Sequence, residues 1–234
     1  MKHPTVMTLL VCCLAGAPAP ASAQGSLNAL TPAERAGEWR LLFDGKTTAG
    51  WRGWKMDTMP SGWKAVDGAL TRVRLAADII TTEKFKDFEL SLEWKIAKNG
   101  NSGIFYRASE DDDAIYWSAP EMQVLDDAGH PDGQSRLTAA GSNYGLYPAP
   151  AGVVKPAGQW NQVRLVVRGK HVEHWLNGVK MVDYDLESPD WEAKVKASKF
   201  APHVHYGRNR EGYIGLQEHE FWVAYRNIKI RTLP

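Results

Sequence analysis

Three stretches of the sequence gather side chains that can move protons or hold polar ligands. The first is Pro120-Glu121-Met122-Gln123-Val124-Leu125-Asp126. In an extended strand Glu121, Gln123 and Leu125 share one face, and Met122, Val124 and Asp126 the other. With Met122 and Val124 in a core, Glu121 and Gln123 stand side by side on the open face. That pairs a carboxylate for proton transfer with an amide that can grip sugar hydroxyls. An ordinary half-solvated strand with an acidic end is the plainer alternative. The second stretch is Asn101-Ser102-Gly103-Ile104-Phe105-Tyr106-Arg107. Alternation puts Phe105 and Arg107 on one side. There Arg107 can pair with Glu121 or hold a substrate oxygen through two N–H groups, or close a strand-end salt bridge. The third is Gly215-Leu216-Gln217-Glu218-His219-Glu220. Gln217 and His219 point the same way if the strand continues. An imidazole there can serve as base, acid, ligand or structural turn residue.

His203 and His205, two apart, face one side of an extended chain. With Glu218 they are candidate ligands for a divalent metal (Ca, Mn or Zn), although two histidines do not complete a site. Trp94, Trp160 and Trp175 fit core alternation. Trp51, Trp54, Trp63, Trp117 and Trp191 fall in or beside loops. Indole and phenol faces stack on pyranose rings, so Trp117 and Tyr144 are candidate sugar contacts beside Asn101, Gln123 and Gln217.

Composition narrows the classes of partner. The 234 residues are 44% hydrophobic and carry 28 Lys plus Arg against 27 Asp plus Glu. This near-balance supplies no global field for nucleic acid or an anionic membrane. No nucleophile elbow, HExxH or phosphate-binding glycine loop occurs. Lys2 and His3, the apolar run from Val6 to Ala15 and the Ala21-Ser22-Ala23 signal read as a secretory signal peptide over residues 1–23. The run is too short to span a bilayer. The reading predicts a periplasmic or secreted protein without stable membrane insertion. Both cysteines, Cys12 and Cys13, would leave with the peptide; lipidation of one is a lesser alternative.

The elements that must position these groups are short and β-rich. After a leader over 24–38, with a capped helical turn at Thr31-Pro32, strands are expected at 40–43, 63–66, 69–73, 79–82, 88–96 and 103–108. Further strands are expected at 121–126, 160–168, 172–176, 179–184, 212–217 and 222–231. The run 88–96, FELSLEWKI, alternates most cleanly. No helix of ten or more residues with an apolar stripe stands out. This spacing predicts a single all-β sandwich over 39–234, its last strand lying beside an early one. The loops 109–119, 127–158 and 188–210 are the expected rims of a site.

Taken in order, Leu42-Phe43-Asp44-Gly45, Gly50-Trp51, Asp87-Phe88-Glu89-Leu90 and Asn101-Ser102-Gly103-Ile104 with Arg107 form a pattern. It continues through Glu121-Met122-Gln123-Val124-Leu125-Asp126, Gly215-Leu216-Gln217-Glu218-His219 and Arg226-Asn227-Ile228-Lys229-Ile230-Arg231. The pattern resembles the 3-keto-disaccharide hydrolase domain family from about residue 39 to 233. The resemblance implies a concanavalin A-like jelly-roll β-sandwich of two curved antiparallel sheets, bacterial export and hydrolysis of glycosides oxidised at C3. Arg107, Glu121 and Gln217-Glu218-His219 match the family's polar positions. Glu218 replaces the commoner Asp, and Glu220 the commoner Gly.

A ketone at C3 acidifies the C2 proton and lets the C1 oxygen leave by elimination; water then adds back. Such chemistry needs a base, an electrophile for the enolate oxygen and an acid. Glu121 or His219 can be the base, with the other as acid, and Arg107 or a metal the electrophile. The partner expected is a small saccharide or glycoside, and no nucleic acid. Two rivals stand beside this reading. One is a conventional glycosidase with paired carboxylates; the other is a carbohydrate-binding module without turnover.

Overall fold

The computed structural model describes residues 26–234. The expected signal peptide and both cysteines lie outside the described residues. Thr31 caps the short helix α1 (Pro32–Ala36) through the backbone N–H of Glu34, whose carboxylate returns to the Thr31 N–H. That reciprocal pair is the expected capping box. No helix among the described residues is long and apolar enough to cross a membrane.

Thirteen strands follow among the described residues. They are β1 (Arg40–Leu41), β2 (Trp51–Gly53), β3 (Trp63–Val66), β4 (Ala69–Arg72), β5 (Ile79–Thr81), β6 (Phe88–Ile96) and β7 (Asn101–Ala108). After these come β8 (Glu121–Leu125), β9 (Asn161–Arg168), β10 (His171–Leu176), β11 (Val179–Asp185), β12 (Tyr213–Leu216) and β13 (Val223–Thr232). All pairings are antiparallel. The larger sheet runs β11-β10-β9-β6-β13-β4-β3, with β1 also on β13; the smaller runs β2-β5-β12-β7-β8. The architecture is the jelly-roll sandwich expected from the sequence. The last strand lies between β6 and β4 and also carries β1, which ties the two ends of the domain into one sheet.

The core lies between the sheets. Phe88, Leu90, Leu92, Trp94 and Ile96 of β6 face Ile104, Tyr106, Met122, Val124 and Leu216 of the smaller sheet, all buried. The outer face of the smaller sheet is divided. Phe105 stands opposite Glu121 and Gly103 opposite Gln123, so these four share that face. Around Phe105 a small apolar cluster forms with Ile80, Ala108, Ile115 and Ala119. Beyond it the face turns polar, and loops close over it.

Two elements departed from expectation. Strand β2, three residues long, was not among the expected strands. Helix α2 (Pro189–Lys196) starts at Ser188, whose hydroxyl accepts from the Trp191 N–H, and it buries Trp191 and Val195. Two apolar positions four apart leave too faint a stripe to read. The tryptophans also sorted differently. Trp51, Trp63 and Trp191 are buried, whereas Trp160 and Trp175 are half-exposed beneath Arg226 and Arg164.

Candidate active site

The polar half of the smaller sheet forms the floor of a cavity of about 260 Å3. Asn101 of β7, Glu121 and Gln123 of β8, and Gln217 just past β12 supply the floor. Tyr116, Trp117, Asp132, Tyr144, Lys199 and His219 form the walls. The rim residues come from the three loops expected to build a site, and from the end of β12. Loop 109–119 ends in a single 3-10 turn (Ile115–Trp117) that presents Tyr116 and Trp117. Asp132 lies in a second such turn (Pro131–Gln134).

Glu121 is 6% exposed, and no side chain hydrogen-bonds its carboxyl group. Burial pushes its pKa up to about 8. The charge of Lys199 opposes that rise, while Asp78 and Asp132 add to it. Gly103 makes the position possible. A Cβ there would lie 2.0 Å from Glu121 Oε1, so only a bare backbone leaves room for the carboxyl. Beside it, neither amide atom of Gln123 has a protein partner, and Gln217 Oε1 lacks one too. Buried amides without partners are costly, and here they face a cavity where a polyhydroxylated ligand can satisfy them.

Lys199 is a cation facing this carboxyl. Its Nζ lies 4.4 Å from the Tyr144 ring centre, 5.3 Å from Phe200, 5.8 Å from Tyr116 and 6.0 Å from Trp117. Aromatic faces hold the ammonium by cation–π attraction while leaving its N–H donors to the cavity. Tyr144 donates its hydroxyl to Asp132 at 3.5 Å, a long contact. Burial raises the Tyr144 phenol to about 12, so it remains a donor at neutral pH. His219 stands on the wall with its ring 6.5 Å from that of His130.

The expected residues therefore converge in part. Glu121, His219, Asn101, Gln123, Gln217, Trp117 and Tyr144 meet around one cavity. Arg107 does not, which corrects its expected place on the open face. A bulge between Tyr213 and Gly215, together with a positive φ of 51° at Arg107, breaks the strand alternation there. The guanidinium is buried at the strand end, where it donates to the carbonyls of Lys86 and Gly169 and to Asp87. There it ties the strand end to the neighbouring loops.

The metal candidates disperse as well. Their segment folds into turns and not an extended strand. His203 stacks on Trp117 at 3.7 Å and 6°, His205 pairs with Asp112 at 3.2 Å, and Glu218 accepts from Arg72 Nε at 2.7 Å. Among the described residues, the donors that could share one metal ion are His171, Glu173 and Asp183, on strands of the larger sheet. The Lys180 ammonium already bonds Glu173 and Asp183 there, at 2.7 and 2.6 Å.

Sequence reasoning missed Lys199, Tyr116 and Asp132. Lys199 sits in the ordinary-looking Ser198-Lys199-Phe200, and its aromatic cage is drawn from its own loop and two others. Asp132, in Pro131-Asp132-Gly133, carries the composition of a plain turn. Only the expectation that loops 109–119, 127–158 and 188–210 would rim the site pointed toward them.

This arrangement can do three things. It can surround one sugar ring with amides and aromatic faces, exchange a proton at Glu121, and place positive charge opposite. The comparisons agree with such a site. A family model described as the 3-keto-alpha-glucoside-1,2-lyase-like domain matches residues 38–231. A 3-keto-disaccharide hydrolase of Bacteroides thetaiotaomicron is 38% identical over 224 residues, spanning 82% of this chain and 77% of that protein. Two crystal structures of candidate glycosyl hydrolases from Parabacteroides distasonis also superpose. One is 31% identical with a TM-score of 0.84, covering 89% of this chain and 100% of the other. The second is 30% identical with a TM-score of 0.68, covering 83% and 99%. Through its fold, its cavity and these matches, the chain belongs to the family of 3-keto-alpha-glucoside-1,2-lyase-like domains.

Proposed function

We propose that this protein is a hydrolase of glycosidic bonds in 3-keto-glycosides and 3-keto-disaccharides, acting by elimination and rehydration. The observation that carries the mechanism is Glu121. A carboxyl group pushed up to about 8, in a cavity sized for one hexose ring, is a stronger base than an ordinary carboxylate. It takes the proton from C2, made acidic by the neighbouring C3 carbonyl. Negative charge passes to the carbonyl oxygen, where Lys199 stabilises it. In place of Arg107, Lys199 is the electrophile of this reading. The C1–oxygen bond then breaks, and the departing oxygen takes a proton from His219. Water then gives one proton back to His219 as its oxygen adds at C1, and Glu121 returns its proton to C2, so the sum is hydrolysis and both groups are restored. Gln123, Gln217 and Asn101 hold hydroxyls, and Trp117 and Tyr144 flank the ring.

Among the described residues, the group of donors that could hold a metal is His171, Glu173 and Asp183. A divalent ion (Ca, Mn or Zn) would enter there only by displacing Lys180. The signal-like segment at residues 1–23 supports action in the periplasm or outside the cell.

The test offers the protein a disaccharide and its 3-keto derivative and follows released monosaccharide. The keto sugar should be turned over at least about 10²-fold more efficiently, and Glu121→Gln should lose about 10²-fold or more in kcat. Asp132 also lines the cavity, which gives the conventional two-carboxylate mechanism a foothold. Equal turnover of the unoxidised sugar would decide for that mechanism. Binding without turnover of either sugar would leave a carbohydrate-binding module.

A further inference from the structure

His174 lies in the core, 0% exposed, on the inner face of β10. Its Nδ1 is 3.2 Å from the carbonyl oxygen of Gly141. A carbonyl only accepts, so Nδ1 carries the hydrogen. Nε2 is then a bare acceptor, and the Tyr106 hydroxyl donates to it at 3.1 Å. The Tyr106 oxygen in turn accepts from the Tyr184 hydroxyl. Every proton in this chain has one place, and the imidazole is fixed in one tautomer.

The chain joins three parts of the molecule. Tyr184 and His174 belong to the larger sheet and Tyr106 to the smaller one. Gly141 belongs to neither, but lies in the segment 139–144, buried from Ala139 to Asn143, that runs beside β8. Gly141 N–H donates to the Gln123 carbonyl at 2.8 Å, Gln123 N–H to Ser142 at 3.1 Å, and Tyr144 N–H to Glu121 at 3.1 Å. Strand β8 is the last of its sheet, so this strap occupies an edge that no other strand covers. The strap also carries Tyr144, one of the aromatic faces around Lys199. Gly141 has φ +82°, and a Cβ there would lie 2.8 Å from Met181, so its place is tightly set.

We propose that His174 is a positioning residue for the cavity. Through its Nδ1–H bond to Gly141 it fixes the strap against β8, and with it Glu121, Gln123 and Tyr144. This rests on the reading of Glu121 as the proton-transfer group, but the strap's attachment can be measured apart from activity.

The experiment compares full-length His174→Asn, His174→Gln, His174→Leu and Tyr106→Phe with the parent protein. An Asn amide nitrogen replaces Nδ1–H, whereas a Gln amide reaches only toward the place of Nε2. On a 3-keto-disaccharide, kcat should fall at least about 10-fold in His174→Leu and His174→Gln. It should recover to within about 3-fold in His174→Asn and stay there in Tyr106→Phe. Amide hydrogen exchange at Gln123 and Tyr144 should speed up at least about 10-fold in the first two variants only. Equal rates for His174→Asn and His174→Gln, or full kcat and protection in His174→Leu, would overturn the proposal. Should His174→Leu not fold, the Asn and Gln pair decides. If no variant and no parent turns over the keto sugar, the functional reading fails, and the exchange pattern still decides the tether.

Discussion

At the scale of single residues, the proposed chemistry depends on a carboxyl kept out of water beside one lysine. With a 3-keto glycoside of 4-nitrophenol, whose leaving oxygen needs no proton from His219, only the base must be in its active, ionised form, so log kcat/KM should rise with unit slope up to about pH 8 and then level. A plateau already reached at pH 5–6 would mean that Glu121 is not the base. Lys199 answers a different question. Lys199→Met keeps the length and removes the charge. It should lower kcat at least about 30-fold while changing KM by less than about 5-fold, because charge develops only on the way to the enolate. Arg107 separates the structural role from the catalytic one. Its guanidinium closes the carbonyls of Lys86 and Gly169, and its loss leaves them and Asp87 short of a donor. Arg107→Ala should cost roughly 2–4 kcal/mol of stability by denaturant unfolding. The kcat of the folded fraction should stay within about 3-fold of the parent. A large kcat loss at unchanged stability would return Arg107 to the site.

At the scale of elements, strand alternation explains both what the sequence disclosed and what it hid. β6 and β8 alternate without interruption, so their core faces, and the standing of Glu121 beside Gln123, could be read from period two alone. β7 alternates until its last turn, where the bulge and the positive φ at Arg107 redirect one side chain. The extra residue lies in β7, where Tyr106 and Arg107 stand against Ile214 alone, and an arginine gives no local sign of the left-handed conformation it takes there. Segment 202–206 failed similarly. The same His-x-His spacing faces one way in a strand but diverges in a turn, where His203 stacks on Trp117 and His205 pairs with Asp112. Lys199 was hidden because its function comes from aromatic rings that only the fold brings around it. Gly103 is the element-scale test. Gly103→Ala leaves a residue that any strand accepts, yet its methyl group would enter the space of Glu121 Oε1. The carboxyl must swing away, so kcat should drop at least about 10-fold while Tm changes by no more than about 3 °C. Unaltered kinetics would show that Glu121 does not act from the place it occupies here.

At the scale of the whole molecule, the same burial that equips Glu121 weakens the folded state, and two groups pull stability in opposite directions with pH. Glu121 has a folded pKa of about 8 against an ordinary 4.5. Below pH 4.5 it is protonated in both states and costs nothing. As pH rises toward 8 the unfolded chain releases this proton and the folded one does not, so stability falls and then levels above 8. His174 runs the other way. Burial lowers it to about 4 from an ordinary 6.5, so it is neutral when folded. The stability it allows is complete above pH 6.5 and is lost as pH falls toward 4. Asp78, raised to about 6 by burial, has the sign of Glu121 over a lower range. Subtraction isolates one group from the rest. Glu121→Gln should match the parent's Tm near pH 4, exceed it increasingly from pH 5 to 8, and hold a constant lead above that. The size at pH 8 should be a few kcal/mol, or about 5–10 °C for a domain of this length. Differential scanning calorimetry across pH 4–9 measures it. A lead that is flat across the range would mean the gain comes from packing. A variant less stable than the parent at pH 8 would mean the carboxylate has partners in the folded protein that offset its burial. The expected pattern, stabilised and inactive together, is the mark of a buried ionisable group retained for chemistry at a cost to the fold.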